Sequence, residues 1–171
     1  MTQVPTELLL IRHGQSEANV GLSTDPDCGL SPAGHEQAVA LAGRLVGYDL
    51  RAFAGVCSPY RRAVQTARII ADATGLEFIR DERVREWGPA ATVGGRSFPQ
   101  EPVESAAQRL REFLRRSRGK RLVVVSHAAP IALLTQLAWG EVPVARGEFW
   151  AGVGNCCPRW VKTTCDVEGP L

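Results

Sequence analysis

Short apolar runs alternate with amphipathic stretches along the chain, a pattern that predicts repeated strand–helix units. Leu8-Leu-Leu-Ile11 is uniformly apolar, as a strand covered on both faces is. Ser31-Pro32 opens a helix, with Ser31 as N-cap and Pro32 at the first helical position. Its apolar positions Ala38, Leu41, Ala42 and Leu45 keep helical spacing. Phe53 to Cys57 is a second strand, and Tyr60 to Thr74 a second helix stopped by Gly75. A third strand is expected at Glu77-Phe-Ile79. Residues 87–103 hold Gly88, Pro89, Gly94, Gly95, Pro99 and Pro102 and read as a loop. A helix over Glu104 to Ser117 turns Ala107, Leu110 and Leu114 inward and leaves Arg111, Arg115 and Arg118 on a solvated face. Arg121-Leu-Val-Val-Val-Ser126 is a central parallel strand, followed by a helix over Pro130 to Ala138. Asn155 to Thr164 is an edge strand, where Pro158 is tolerated near the start.

These elements predict an α/β fold: a three-layer α/β/α sandwich around a mainly parallel central sheet. The chain of 171 residues is expected to form one domain, residues 1–171, with a short lid loop at about 87–103. Apolar residues make up 44% and charged residues 22%, which excludes a disordered chain. The net charge of +2 is too balanced to point to nucleic acid or a membrane surface. No run approaches the roughly 20 apolar residues that span a bilayer. The opening Met1-Thr-Gln-Val-Pro-Thr-Glu has no basic segment of a signal peptide, so a cytoplasmic protein is expected. The five cysteines form an odd set and are expected to be mostly free thiols. Vicinal Cys156 and Cys157, placed in a strand, would point to opposite faces.

The chemistry gathers at strand ends. Leu8-Leu-Leu-Ile11 runs into Arg12-His13-Gly14, and Val123-Val-Val-Ser126 into His127-Ala-Ala-Pro130. Open α/β sheets bind ligands just past the carboxyl ends of their strands. Of three histidines, two occupy that position, whereas His35 falls in the first turn of a helix and reads as surface. The strand ending at Cys57 runs into Ser58-Pro-Tyr-Arg61-Arg62 and brings arginine to the same rim. Two histidines, at least two arginines and helix N-termini suit a dianionic phosphate, and neutral imidazole is a nucleophile able to attack phosphorus.

Four ordered blocks extend this reading. Arg12-His13-Gly14-Gln15-Ser16-Glu17-Ala18-Asn19 resembles the signature of the histidine phosphatase superfamily, also called phosphoglycerate mutase-like. Cys57-Ser-Pro-Tyr-Arg-Arg62-Ala-Val-Gln-Thr66-Ala67 is similar to its second block, Arg83-Val-Arg-Glu86-Trp-Gly88 to its acidic block, and Val124-Val-Ser-His127-Ala-Ala-Pro-Ile131 to its second-histidine block. Asn155-Cys-Cys resembles a terminal block. The resemblance implies that His13 is the nucleophile and forms a phosphohistidine, and that Arg12, Arg62 and His127 surround the phosphoryl group. It implies that Glu86 protonates the leaving oxygen and then activates water. Ser16 and Asn19 fall where the family contacts phosphate or substrate, and the backbone N–H of Ala128 is a further donor. Glu101 and Glu104 are alternative carboxylates, each also placed as an acid near a helix start. No metal and no cofactor is expected, because arginine and histidine supply the positive charge.

After Glu86 the family's usual Gly-aromatic-Glu-Gly is replaced by Trp87-Gly-Pro-Ala-Ala-Thr-Val-Gly-Gly-Arg96. Only 40 residues lie between Glu86 and His127, without the insertion carried by cofactor-dependent mutases. A small lid admits water, which favours hydrolysis of the phosphohistidine over return transfer. The expectation is a small phosphatase acting on a phosphorylated metabolite. Alternatives are a protein phosphohistidine phosphatase, a mutase-type phosphotransferase and a non-catalytic phospho-ligand-binding module. Other phosphatase chemistries fail on spacing: Cys57 to Arg62 is one residue short of Cys-x5-Arg, Asp25-Pro-Asp27 follows no apolar strand, and neither a P-loop nor a zinc pattern occurs.

Overall fold

The computed structural model describes residues 4–88, 91–93, 96–98, 100–140 and 153–164. Strand β1 (Thr6–Arg12) leads to helix α1 (Pro32–Leu45), β2 (Ala54–Cys57), α2 (Arg61–Thr74) and β3 (Phe78–Arg80). Strands β4 (Ala91–Val93) and β5 (Arg96–Phe98) follow, then α3 (Val103–Arg116), β6 (Arg121–Ser126), α4 (Ala128–Ala138) and β7 (Pro158–Thr163). The helix starts follow local chemistry: Ser31 accepts from the Gly34 N–H at the head of α1 and Pro32 sits just inside it. Gly75 closes α2 with φ +74°, a left-handed turn suited to glycine.

The main sheet has the order β3-β2-β6-β1-β7. Its first four strands are parallel, and β7 is an antiparallel edge against β1. Side-chain alternation along the buried strands divides the core. Leu8, Leu10, Val56, Leu122 and Val124 meet Leu110, Phe113 and Leu114 of α3 and Ile131, Leu134 and Leu137 of α4. Leu9, Ile11, Cys57, Val123 and Val125 meet Ala38, Leu41 and Leu45 of α1 and Ala63, Ala67 and Ile70 of α2. The result is the three-layer α/β/α sandwich with a mainly parallel sheet that the apolar runs predict.

Register carries this fold to the site. Ile11 pairs with Val125 and Arg12 with Ser126, so β1 and β6 end level and release His13 and His127 side by side. The ladder runs one bond further, from His13 N to Ser126 O at 3.0 Å. Cys57 also pairs with Val125, which brings Ser58 to the same level. Close packing holds this rim: a Cβ on Gly14 would lie 2.3 Å from Gly34 O, so the turn after His13 admits glycine alone against the head of α1.

Three expectations are corrected. The stretch 87–103 is not only loop, because β4 and β5 pair as an antiparallel ribbon within it. The Gly94-Gly95 dipeptide is a hairpin signal in the sequence, masked there by the density of glycine and proline. The last strand begins at Pro158, so Asn155, Cys156 and Cys157 lie in the turn ahead of it. In that turn Cys156, at φ +50°, is buried and Cys157 is exposed. The third strand is shifted by one residue, to Phe78–Arg80. Cys165 and the interval 141–152 lie outside the described residues.

Candidate active site

His13 is 3% exposed and its ring is fixed at both nitrogens. Nδ1 lies 2.6 Å from Gly14 O. A carbonyl only accepts, so the proton is on Nδ1 and Nε2 keeps its lone pair. Nε2 accepts from Arg62 Nε at 3.1 Å. Burial, reinforced by the Arg62 and Arg12 cations, pushes the His13 pKa down to about 3. The imidazole is therefore neutral at physiological pH.

Arg62 stands in the first turn of α2, where Nη1 also donates to Pro26 O at 2.7 Å and the guanidinium lies over the Tyr60 ring. Thr66 ties this helix to the turn after His13: its fully buried hydroxyl accepts from Gly14 N at 3.1 Å and donates to Arg62 O at 2.8 Å. Arg12 donates through Nη1 to Val153 O at 2.8 Å. Asn155 Nδ2 donates to His13 O at 2.7 Å.

His127 is completely buried, with its ring centroid 4.9 Å from that of His13. Its Nε2 lies 2.7 Å from Ser58 Oγ. Ser58 Oγ also accepts from Tyr60 N at 3.3 Å; with the Ser58 proton directed to Nε2, the His127 proton sits on Nδ1. Burial, followed by the Arg62 cation, holds the His127 pKa well below its ordinary value. Nδ1 faces Glu86 Oε2 at 3.5 Å. His127 Nδ1 and Arg12 Nε are buried and make no hydrogen bond among the described residues. Glu86 Oε1 accepts from Trp87 N at 3.0 Å, and burial raises the carboxyl pKa against the pull of that N–H and of Arg62, Arg12 and Arg109. An open pocket of about 550 Å³ adjoins it, lined by Glu86, Trp87, Gly88, Gln100, Ala128 and Ala129 together with Glu101. A larger cleft of about 940 Å³, lined in part by Tyr48, Phe53 and Lys120, includes none of these histidines or Glu86.

The structure thus brings His13, Arg12, Arg62, His127 and Glu86 together, and Ala128 heads α4 beside them. Ser16 and Asn19 instead bond each other: Ser16 N donates to Asn19 Oδ1 at 3.0 Å and Asn19 N to Ser16 Oγ at 3.3 Å. Ser16 is buried and Asn19 exposed. Both oxygens of Glu101 are engaged by Arg109, and one also by Arg85. Glu104 is an exposed acid in the first turn of α3. The N-terminus of α2 is filled by a side chain of this chain, since Arg61 N donates to Asp27 Oδ1 at 2.7 Å. Ser58 was findable in the sequence, because it follows β2 as the two histidines follow β1 and β6.

Residues 8–101 match the family model of the histidine phosphatase superfamily (branch 1). The chain belongs to this superfamily. Among relatives of this chain is a glucosyl-3-phosphoglycerate phosphatase of Mycolicibacterium vanbaalenii, 28% identical over 91% of this chain and 82% of that protein. A 2,3-bisphosphoglycerate-dependent phosphoglycerate mutase of Thermoplasma acidophilum is 40% identical over 83 residues, 47% of this chain and 40% of the mutase. The solved structure of a mycobacterial glucosyl-3-phosphoglycerate phosphatase superposes with a TM-score of 0.67 at 26% identity, over 92% of this chain and 89% of that one.

Proposed function

We propose that this histidine phosphatase domain is a metal-independent phosphomonoester phosphatase that works through a phosphohistidine on His13 and acts on a small phosphorylated metabolite. The observation that carries the reading is the locked, neutral His13: its Nδ1–H is spent on Gly14 O, and Nε2 offers a lone pair beside two arginines.

In the first step Nε2 attacks phosphorus and the P–O ester bond breaks. Glu86 protonates the leaving oxygen, consistent with a carboxyl whose pKa burial raises. Arg62 exchanges its hydrogen bond to Nε2 for phosphoryl oxygens, and the unengaged donors of Arg12 Nε and His127 Nδ1 take others. Ala128 N, at the head of α4, and the Ser16–Asn19 turn are further proposed contacts to phosphate or substrate. In the second step Glu86 removes a proton from water, water attacks phosphorus, and the P–N bond breaks to restore His13 and release phosphate. Among the described residues the pocket beside Glu86 is open, which supports access of that water.

The test compares wild type with His13→Ala on glucosyl-3-phosphoglycerate, other sugar phosphates, phosphoglycerates, nucleotides, p-nitrophenyl phosphate and a phosphohistidine protein. Phosphate release by wild type alone supports the reading, and a preference for the phosphohistidine protein would move it to a protein substrate. Stoichiometric binding without release by either form would identify a phospho-ligand-binding module. The match to a bisphosphoglycerate-dependent mutase favours one second reading, a mutase. Isomerisation of a phosphoglycerate that requires a bisphosphorylated primer would establish it.

A further inference from the structure

Glu86 stands on a segment that neither a helix nor a strand holds: residues 85–88 follow the 3₁₀ turn at Glu82–Val84 and precede β4. A side chain of α3 performs that task. Arg109 donates through Nη1 to Arg83 O and through Nη2 to Arg85 O at 3.1 Å, with Glu86 O at 3.5 Å from the same nitrogen. Its Nε donates to Glu101 Oε1 and its Nη2 to Glu101 Oε2, each at 2.8 Å, in the two-pronged geometry that fixes a guanidinium plane. Glu101 closes the ring. Its carboxylate takes Arg85 Nη2 at 3.0 Å, its carbonyl takes Trp87 Nε1 at 2.6 Å, and its N–H donates to Gly88 O at 3.2 Å. The residues on both sides of Glu86 are therefore tied to one nearly buried ion pair, with Arg109 11% and Glu101 10% exposed.

We propose that Arg109 and Glu101 are positioning residues that hold the Glu86 carboxyl where it can protonate the leaving oxygen, an inference that rests on the general-acid role given to Glu86 above. Arg109 bonds the carbonyls of Arg83 and Arg85 and Glu101 bonds Arg85 and Trp87, so each acts through the segment on either side of Glu86. Lysine at position 109 would keep the charge and lose the fork, since an ammonium cannot bridge two carbonyls and two carboxylate oxygens in one plane.

The leaving group separates this role from a merely structural one. p-Nitrophenolate departs as a stable anion, whereas an alkoxide needs a proton during bond breaking. The experiment measures kcat/KM, which ends at the first irreversible step, for p-nitrophenyl phosphate and for glycerol 2-phosphate. Arg109→Lys should lower kcat/KM on glycerol 2-phosphate by about 10²-fold, the scale of a lost general acid, and on p-nitrophenyl phosphate by a few-fold at most. Glu86→Gln should show the same asymmetry. Equal losses on both substrates in a folded Arg109→Lys protein, or no loss on either, would overturn the proposal. If Arg109→Lys does not fold by circular dichroism, Glu101→Gln is read by the same criterion. Failure of the underlying reading looks different: wild-type turnover would then survive His13→Ala, or Glu86→Gln would show no asymmetry.

Discussion

Keeping His13 neutral inside the fold has a cost that appears on acidification. An unfolded histidine titrates near about 6.5, whereas the His13 pKa in the fold is held at about 3 by burial and by Arg62 and Arg12. Between these values the unfolded chain binds a proton that the folded one does not, so stability falls as pH drops below about 6.5 and the loss is complete near pH 3. From pH 7 to pH 5 the linkage relation gives about 2 kcal/mol for His13 alone. His127 acts in the same direction, while Glu86, with a raised pKa, gains stability as pH falls through its folded value. The His13→Asn variant keeps those two groups and removes the first. Urea unfolding of both proteins at pH 7 and pH 5 isolates the difference: wild type should lose about 2 kcal/mol more than the variant. In thermal melts that is roughly 4–8 °C for a chain of this size. Equal acid losses in the two proteins would mean that His13 titrates near its ordinary value, and the pre-neutral nucleophile would be refuted.

Glu86→Gln is expected to cost about 10²- to 10⁴-fold on alkyl phosphates and to remove the alkaline fall of kcat/KM, which reports loss of the carboxyl proton as pH rises through its raised pKa. An alkaline limb that survives in Glu86→Gln would place the acid elsewhere. Thr66→Val strands the buried Gly14 N–H and should destabilise the protein by about 1–3 kcal/mol, with Thr66→Ser close to wild type. Unchanged melting in Thr66→Val would contradict the bond's importance. Turnover should persist in excess EDTA, and a loss restored by a divalent cation would contradict the metal-independent mechanism.

Much of the site is legible in the sequence because parallel strands that end level place the residues just beyond them in one row. His13 and His127 follow that rule, and it reaches Ser58 as well once the β2–β6 register is known. The α1 cap is legible because Ser31 and Pro32 act locally. The supporting network is not, since its bonds join distant segments: Thr66 to Gly14, Asn155 to His13 O, and Arg109 to the carbonyls of Arg83 and Arg85. On the charged helix α3, nothing in the spacing distinguishes Arg109, which turns inward to Glu101, from the arginines that face solvent. Glu101 belongs to the same network: the sequence shows it as an acid, and its engagement by two arginines appears only in the fold.

The most direct test of the central claim is to trap the covalent intermediate. Wild type is mixed briefly with a radiolabelled substrate from the panel, quenched in alkali and digested, and the labelled peptide is sequenced by mass spectrometry. The account predicts phosphate on His13, stable in alkali and lost in acid as a P–N bond is, and no labelled peptide from His13→Ala. Label on another residue, or undiminished turnover by His13→Ala, would contradict it.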